Sequence, residues 1–127
     1  MKVKLAFLAI TAAVGVAATS VPAATVWHFG LARSAPEADA TVPSVDEVRM
    51  WFTQVPQEGS LSVRLVDPAG DLVETGELGN DPDDGKIAFL PIEQPLESGA
   101  YTVAWRGIGD DGHVVRGDFT FTVAAVR

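Results

Sequence analysis

Apolar side chains recur at every second position through most of the chain beyond residue 46, which is the period of a β-strand with one buried face. In residues 48–53, Val48, Met50 and Phe52 occupy the alternate positions. The same period predicts further strands at residues 61–65, 72–75, 87–90, 100–106 and 119–123. No sustained helical period follows residue 28, so six or seven short strands predict an all-β fold, an antiparallel sandwich or small Greek-key barrel.

The inward sides of these strands form the predicted core, which consists mainly of aromatic and β-branched side chains. Its members are Val48, Phe52, Leu61 or Val63, Leu65, Phe89, Tyr101, Val103, Trp105, Phe119 and Phe121. Between two strands, Asp67, Pro68 and Gly70 stand where a type I turn prefers Asp, Pro and Gly. Residues 76–85 are acidic and rich in turn-forming residues, and they predict a long exposed loop.

The first 27 residues have the composition of a targeting segment. Lys2 and Lys4 form a short basic head, an apolar run covers residues 5–18, and small residues follow it. These are the parts of a secretory signal peptide, and cleavage is predicted after Ala23 or Ala24. The uncharged stretch that follows Lys4 is also long enough to cross a bilayer, so a retained anchor stays open as an alternative.

The charge of the remaining chain excludes some classes of partner. All 17 acidic residues lie beyond position 28, whereas two of the nine basic residues belong to the leader. Such a surface repels phosphate backbones and anionic lipid, so nucleic acid is not expected as a partner, whereas cations are compatible ligands. The chain has no cysteine, so it has no disulfides, and any metal must be bound by nitrogen, oxygen or thioether ligands.

Residues 107–119, GIGDDGHVVRGDF, contain three overlapping motif matches. The GxGxxG match is followed by strand-type alternation and not by the helix that would bind a pyrophosphate, so a dinucleotide site is excluded. The RGD match at 116–118 leads directly into a predicted strand, which argues against a mobile adhesion loop. What remains is a DxH pair of potential metal ligands, Asp111 and His113, and the only other histidine of the chain is His28.

Two stretches of the chain resemble the signatures of the CopC family of periplasmic copper-resistance proteins. HFGLARSAPEADATV is similar to the family pattern HxxLxxSxPxxxxxV. The residues that match in register are His28, Leu31, Ser34, Pro36 and Val42. The second signature resembles residues 95–123, with the DxH motif near the middle. Residues 28–127 are therefore interpreted as one CopC-like copper-binding domain, preceded by a signal peptide at residues 1–27.

The resemblance implies a fold, a metal site and a function. The fold is an immunoglobulin-like Greek-key β-sandwich or barrel of about seven strands. In the family, Cu(II) is bound by an N-terminal histidine, through imidazole and α-amine, and by the DxH motif, so the implied ligands are His28, Asp111 and His113. The implied protein is a non-enzymatic, monomeric, periplasmic carrier or buffer that passes copper to a membrane copper transporter or another periplasmic copper protein.

Two departures from the family pattern affect this interpretation. Met50 is the only methionine beyond the leader, so the methionine-rich Cu(I) segment of the family has no counterpart. A cut after Ala23 or Ala24 would leave residues ahead of His28, and the α-amine would then not belong to that histidine. Two alternatives to a copper carrier stay open, namely a metal-free immunoglobulin-like interaction module and a copper monooxygenase with a histidine brace.

Overall fold

The computed structural model describes residue 15 and residues 28–125, and the regular elements in this part of the chain are β-strands. The strands are β1 (Leu31–Ala35), β2 (Thr41–Val42), β3 (Glu47–Phe52), β4 (Ser62–Val66), β5 (Gly79–Asn80), β6 (Ile87–Pro91), β7 (Gly99–Ile108) and β8 (Val114–Val123). The predicted all-β class is confirmed. Among the described residues, no helix is long and apolar enough to cross a membrane. The predicted cleavage sites after Ala23 and Ala24 lie outside the described residues.

The strands form two four-stranded sheets in the described part of the chain. Sheet A has the order β1-β3-β6-β5 and sheet B the order β2-β8-β7-β4. Neighbouring strands are antiparallel except β2 and β8, which run parallel with Thr41 opposite Thr122. The longest pairing is the β7–β8 hairpin, which extends from Gly99 opposite Val123 to Ile108 opposite Val114. Two separate sheets make the fold a sandwich.

The core lies between the two sheets and is supplied by alternate strand residues. Its buried members are Phe29, Val45, Val48, Met50, Phe52, Leu65, Ala88, Leu90, Tyr101, Val103, Trp105, Phe119, Phe121 and Val123. The prediction is confirmed for most of the core, and Leu61 and Val63 pack against it while partly buried. At one end, the rings of Phe52 and Trp105 meet edge to face, with centroids 5.4 Å apart. This arrangement is favourable for aromatic pairs.

The predicted burial of Phe89 is wrong, because β6 presents its other face to the core. The pairing of β3 with β6 puts Ala88 opposite Met50, and Ala88 and Leu90 are buried. Phe89 lies on the outer face opposite Arg49, whose guanidinium is 5.7 Å from the centroid of the ring. Both faces of β6 are apolar, so its own sequence does not select the inner one.

The strand predicted at residues 72–75 is also wrong. The chain there makes one isolated bridge, between Val66 and Leu72. Its two backbone hydrogen bonds run from the Val73 amide to the Leu65 carbonyl and from the Asp67 amide to the Asp71 carbonyl, both at 2.8 Å. Leu72 is 66% exposed. Because only Val73 of this stretch packs against the core, little apolar surface is buried by continuing the pairing.

The turn before that stretch forms as predicted. The Gly70 amide donates to the Asp67 carbonyl at 2.9 Å, and one carboxylate oxygen of Asp67 accepts hydrogen bonds from the amides of Ala69 and Asp71. The loop predicted at residues 76–85 contains the short strand β5, so it is only partly irregular.

Candidate metal centre

The connection between β7 and β8, residues 109–113, carries two of the three predicted ligands. The Gly112 amide donates to the Gly109 carbonyl at 3.0 Å, which closes a tight turn. Gly112 has a φ of 77°, in the left-handed region that glycine adopts without steric cost. Gly112 therefore lets this loop bend tightly between Asp111 and His113.

Asp111 and His113 contact each other at the tip of the hairpin. The His113 amide donates to Oδ1 of Asp111 at 3.0 Å, and Nδ1 of His113 lies 2.9 Å from Oδ2 of Asp111. A turn, and not an extended strand, brings the two side chains together. Both are open to solvent, with side-chain exposures of 81% for His113 and 44% for Asp111.

The pKa of Asp111 lies below its usual value, chiefly because its carboxylate accepts the hydrogen bond from the His113 amide. The hydrogen bond with the His113 side chain and the nearby charges of His113 and His28 lower this pKa further. Asp111 is therefore a carboxylate at neutral pH. When Nδ1 of His113 donates its proton to that carboxylate, Nε2 is the nitrogen whose lone pair is available to a metal ion.

His28 is held near this hairpin through its backbone. The hydroxyl of Thr53 donates to the His28 carbonyl at 2.8 Å and accepts a hydrogen bond from the Gly30 amide at 2.9 Å. The Thr53 amide also donates to the Gly30 carbonyl at 2.9 Å. These bonds attach residues 28–30 to the end of β3, while His28 itself is exposed.

Phe29 joins this segment to the hairpin from the inside. Its ring stacks on Phe52, with centroids 5.1 Å apart, and meets the edge of Trp105 at 6.0 Å. A Cβ atom on Gly107 or Gly109 would lie only 2.8 or 2.6 Å from atoms of Phe29. These two glycines of the GxGxxG match therefore permit close packing, and this packing places His28 near the loop that carries Asp111 and His113.

Two further side chains brace the hairpin from the segment after β3. The Gln57 backbone amide donates to the Ile108 carbonyl at 2.8 Å and its side-chain amide to the Gly109 carbonyl at 3.0 Å. Oε1 of Gln54 accepts a hydrogen bond from the Asp110 amide at 3.2 Å. Sequence reasoning missed these residues and Thr53, because uncharged hydrogen-bonding side chains outside a motif give no spacing signal.

The structure thus joins Asp111 to His113 and places His28 in their vicinity without contact. His28 is the smallest of the influences that lower the pKa of Asp111, and no hydrogen bond or ion pair joins their side chains. Within residues 28–125, no three His, Asp or Glu side chains are already arranged as a metal-binding group. The arrangement is an exposed carboxylate–imidazole pair with a second imidazole nearby.

The fold and this hairpin define a class of protein, namely a small β-sandwich that displays an Asp–His pair beside a second histidine. Residues 31–124 match the CopC domain, and the chain belongs to the CopC family. The family predicted from the two sequence signatures is therefore confirmed.

Three related proteins illustrate the similarity. Protein YobA of Escherichia coli strain K12 is 27% identical over 113 residues, which cover 87% of this chain and 91% of that protein. The crystal structure of PcoC, a methionine-rich copper resistance protein from Escherichia coli, has a TM-score of 0.68 at 25% identity and covers 76% of this chain and 99% of that chain. The crystal structure of CopC from Methylosinus trichosporium OB3b has a TM-score of 0.70 at 28% identity, and the match covers 79% of this chain and 97% of that chain.

The methionine content separates this chain from PcoC. The sequence has two methionines, and the one in the described range, Met50, is 1% exposed in the core. Its thioether is packed between the sheets and is not placed as a surface ligand.

Proposed function

We propose that this protein binds Cu(II) through His28, Asp111 and His113 and acts as a copper carrier or buffer in the periplasm. It is a copper-binding carrier and not an enzyme. The observation that supports the site is the Asp111–His113 pair at the hairpin tip, beside which Thr53 and Phe29 fix the backbone of His28.

The donor set suits Cu(II). Cu(II) favours imidazole nitrogen and carboxylate oxygen in a tetragonal arrangement. In our proposal, Oδ1 of Asp111 keeps its hydrogen bond with the His113 amide, while Oδ2 leaves the imidazole and turns to the metal. The exchange costs little, because it breaks one solvent-exposed contact.

The ligand assignment predicts that His28→Ala and His113→Ala each weaken Cu(II) binding strongly. Removing the hydrogen-bond partner of a metal ligand typically weakens metal binding roughly 10–100-fold. Removing the ligand itself should weaken Cu(II) binding more than that. Competitive titration against a chromophoric chelator measures the dissociation constant. Asp110→Asn is the matched control, since it removes an exposed acid from the same loop and should leave the affinity within about threefold. Unchanged affinity in both histidine variants would contradict the site.

We further propose that residues 1–27 are removed on export, that the chain is monomeric, and that it passes copper to a membrane copper transporter or another periplasmic copper protein. Native intact-mass measurement of the exported protein, with and without one equivalent of Cu(II), tests the maturation. A chain that begins at His28 and retains copper would support ligation by the α-amine. A chain that begins at Ala24 or Thr25 and retains copper would require another fourth ligand.

A further inference from the structure

The outer face of sheet B carries three arginines on adjacent strands. Arg64 lies on β4, Arg106 on β7 and Arg116 on β8, and all three are exposed. Arg106 and Arg116 are directly opposite each other, and Arg64 is diagonal to Arg106, whose direct partner on β4 is Ser62. Direct cross-strand neighbours are separated by roughly 5 Å and diagonal ones by roughly 7–8 Å. The three side chains therefore form one basic patch.

The arginines of this patch lack protein partners, unlike those of sheet A. On sheet A, the guanidinium of Arg33 lies 3.9 Å from the centroid of the Trp51 ring, and Arg49 donates to Glu47 at 3.0 Å. Within residues 28–125, by contrast, none of the three patch arginines forms an ion pair, a hydrogen bond or a ring contact. The sequence holds 17 acidic residues, yet within residues 28–125 none forms an ion pair with the patch.

Folding alone does not account for this arrangement. Like charges directly opposite each other on neighbouring strands destabilise a sheet, and Arg106 and Arg116 are such a pair. Residues that oppose stability without a structural benefit are typical of binding surfaces.

The patch borders a groove with a volume of about 590 Å³. Small residues, Ser62, Ala104 and Gly117, line it together with the three arginines, and Asp118 is its single acidic lining residue. The groove crosses three strands, which is roughly 10 Å at about 4.8 Å between neighbours, and this is the length of about three extended residues. Its lining carries three positive charges against one negative charge.

We propose that this groove docks an extended, carboxylate-rich segment of a partner protein. The planar guanidinium binds carboxylates through two parallel hydrogen bonds, and three such groups can engage successive acidic side chains. Larger polyanions are disfavoured because the chain has a net charge of −8, which repels a nucleic acid or an anionic membrane beyond the patch. A short segment covers only the patch itself and experiences the local charge, since salt screens interactions beyond about 10 Å.

The groove lies beside the candidate metal centre. Arg106 and Arg116 are each two residues from the ends of β7 and β8, where the loop of Asp111 and His113 begins. At about 3.3 Å per strand residue, this separation is roughly 7 Å. A partner docked in the groove would therefore stand within reach of a bound copper ion. This consequence alone depends on the proposed function, whereas docking itself does not require copper.

The test uses the copper-free protein and an acetylated hexaglutamate peptide. We expect the peptide to shift amide NMR resonances along residues 62–64, 104–106 and 116–118, and the binding to weaken with added NaCl. The triple variant Arg64→Gln, Arg106→Gln, Arg116→Gln should raise the dissociation constant by about tenfold or more. The control Arg33→Gln, Arg49→Gln, Lys86→Gln removes the same number of charges elsewhere and should leave it within about twofold.

Several outcomes would overturn the proposal. Absence of peptide binding would do so, and so would equal weakening in both triple variants, which would mean an unspecific charge effect. Binding of phosphatidylglycerol vesicles in place of the peptide would assign the patch to a membrane. Equal resonance shifts with inorganic phosphate would reduce it to a small-anion site. If the triple variant does not fold, Arg116→Gln alone replaces it, with Arg33→Gln as its control.

Discussion

Asp111 uses its two carboxylate oxygens for two different partners, and this division organises the hairpin tip. Oδ1 accepts from the backbone amide of His113 and Oδ2 contacts its imidazole. The first contact fixes the turn and keeps Asp111 ionised, whereas the second orients the ring. One residue thus shapes the loop and holds the neighbouring imidazole, through a contact that the proposed metal ion would replace.

Gly112 makes this turn possible, and its replacement should be costly because of backbone strain alone. No atom lies within 4 Å of the position a Cβ would occupy, so crowding plays no part. Gly112→Ala should lower the free energy of unfolding by about 1–2 kcal/mol, the cost of a left-handed conformation for a residue with a Cβ. Gly112→Asn should lose less, because asparagine tolerates that region. Urea unfolding tests the order, and equal stability of all three proteins would contradict it.

At the scale of the elements, Thr53 ties the segment around His28 to the end of β3. Thr53→Val keeps the shape but removes a hydroxyl that bridges Gly30 and His28. We expect a loss of about 1–2 kcal/mol in unfolding free energy and weaker Cu(II) binding, because a partly buried amide loses its acceptor and His28 gains freedom.

Thr102→Val on the outer face of β7 is the matched control for this change. The Thr102 hydroxyl makes no hydrogen bond with the described residues. The unfolding free energy of the Thr102→Val variant should therefore remain within about 0.5 kcal/mol of that of the parent protein. Urea unfolding and copper titration of both variants provide the comparison. Equal behaviour of the two would show that the Thr53 bridge is unimportant.

Strands β3, β4, β6, β7 and β8 were predictable from the sequence, because most of them bury one face only, whereas β1, β2 and β5 were not predicted. The exception in β6 is instructive, since Ile87, Phe89 and Pro91 are as apolar as Ala88 and Leu90. Only the register with β3 decides which set turns inward. At residues 72–75, the sequence alternates as in a strand, but only Val73 finds core residues to pack against.

The candidate site, like the strands, was only partly predictable from the sequence. Asp111 and His113 are two residues apart, so the sequence alone presents them as a pair. The proximity of His28 depends on the packing of Phe29 against Gly107 and Gly109, which no local pattern reveals. His28 was proposed as a third ligand only because of the family resemblance, since the alternation of apolar residues does not show which loops lie together.

At the scale of the whole molecule, Tyr101 couples the stability of the sandwich to pH. Its hydroxyl donates to the Glu97 carbonyl at 2.8 Å, and its ring stacks on Phe121 with centroids 5.8 Å apart. Burial raises the pKa of Tyr101, and the charges of Glu97 and Asp67 raise it further. The folded state therefore favours the neutral phenol.

The sign of the resulting pH dependence follows from this raised pKa. The stabilisation is complete below about pH 10, where an unfolded tyrosine is neutral, and is lost as pH rises through the higher pKa of the folded state. Tyr101→Phe should cost about 1 kcal/mol at neutral pH through the lost hydrogen bond, and this difference should shrink at alkaline pH.

Urea unfolding at neutral and alkaline pH measures that difference. Tyr101 is the only tyrosine in the sequence, so tyrosinate absorbance reports its ionisation without overlap from another phenol. An alkaline loss of stability that is the same in the parent protein and in Tyr101→Phe would contradict the coupling.

The parallel pairing of β2 with β8 joins an early strand to the last one, so sheet B cannot be completed before the chain reaches Val123. Every strand of sheet A has been synthesised by residue 91, whereas sheet B needs its last strand, which ends at Val123. Until then the inner face of sheet A, with Val48, Met50 and Leu90, lacks the complete second sheet that buries it. A chain that emerges with its N-terminus first therefore exposes this apolar surface until residues 92–123 are available to complete sheet B, and such exposed surface is prone to aggregation.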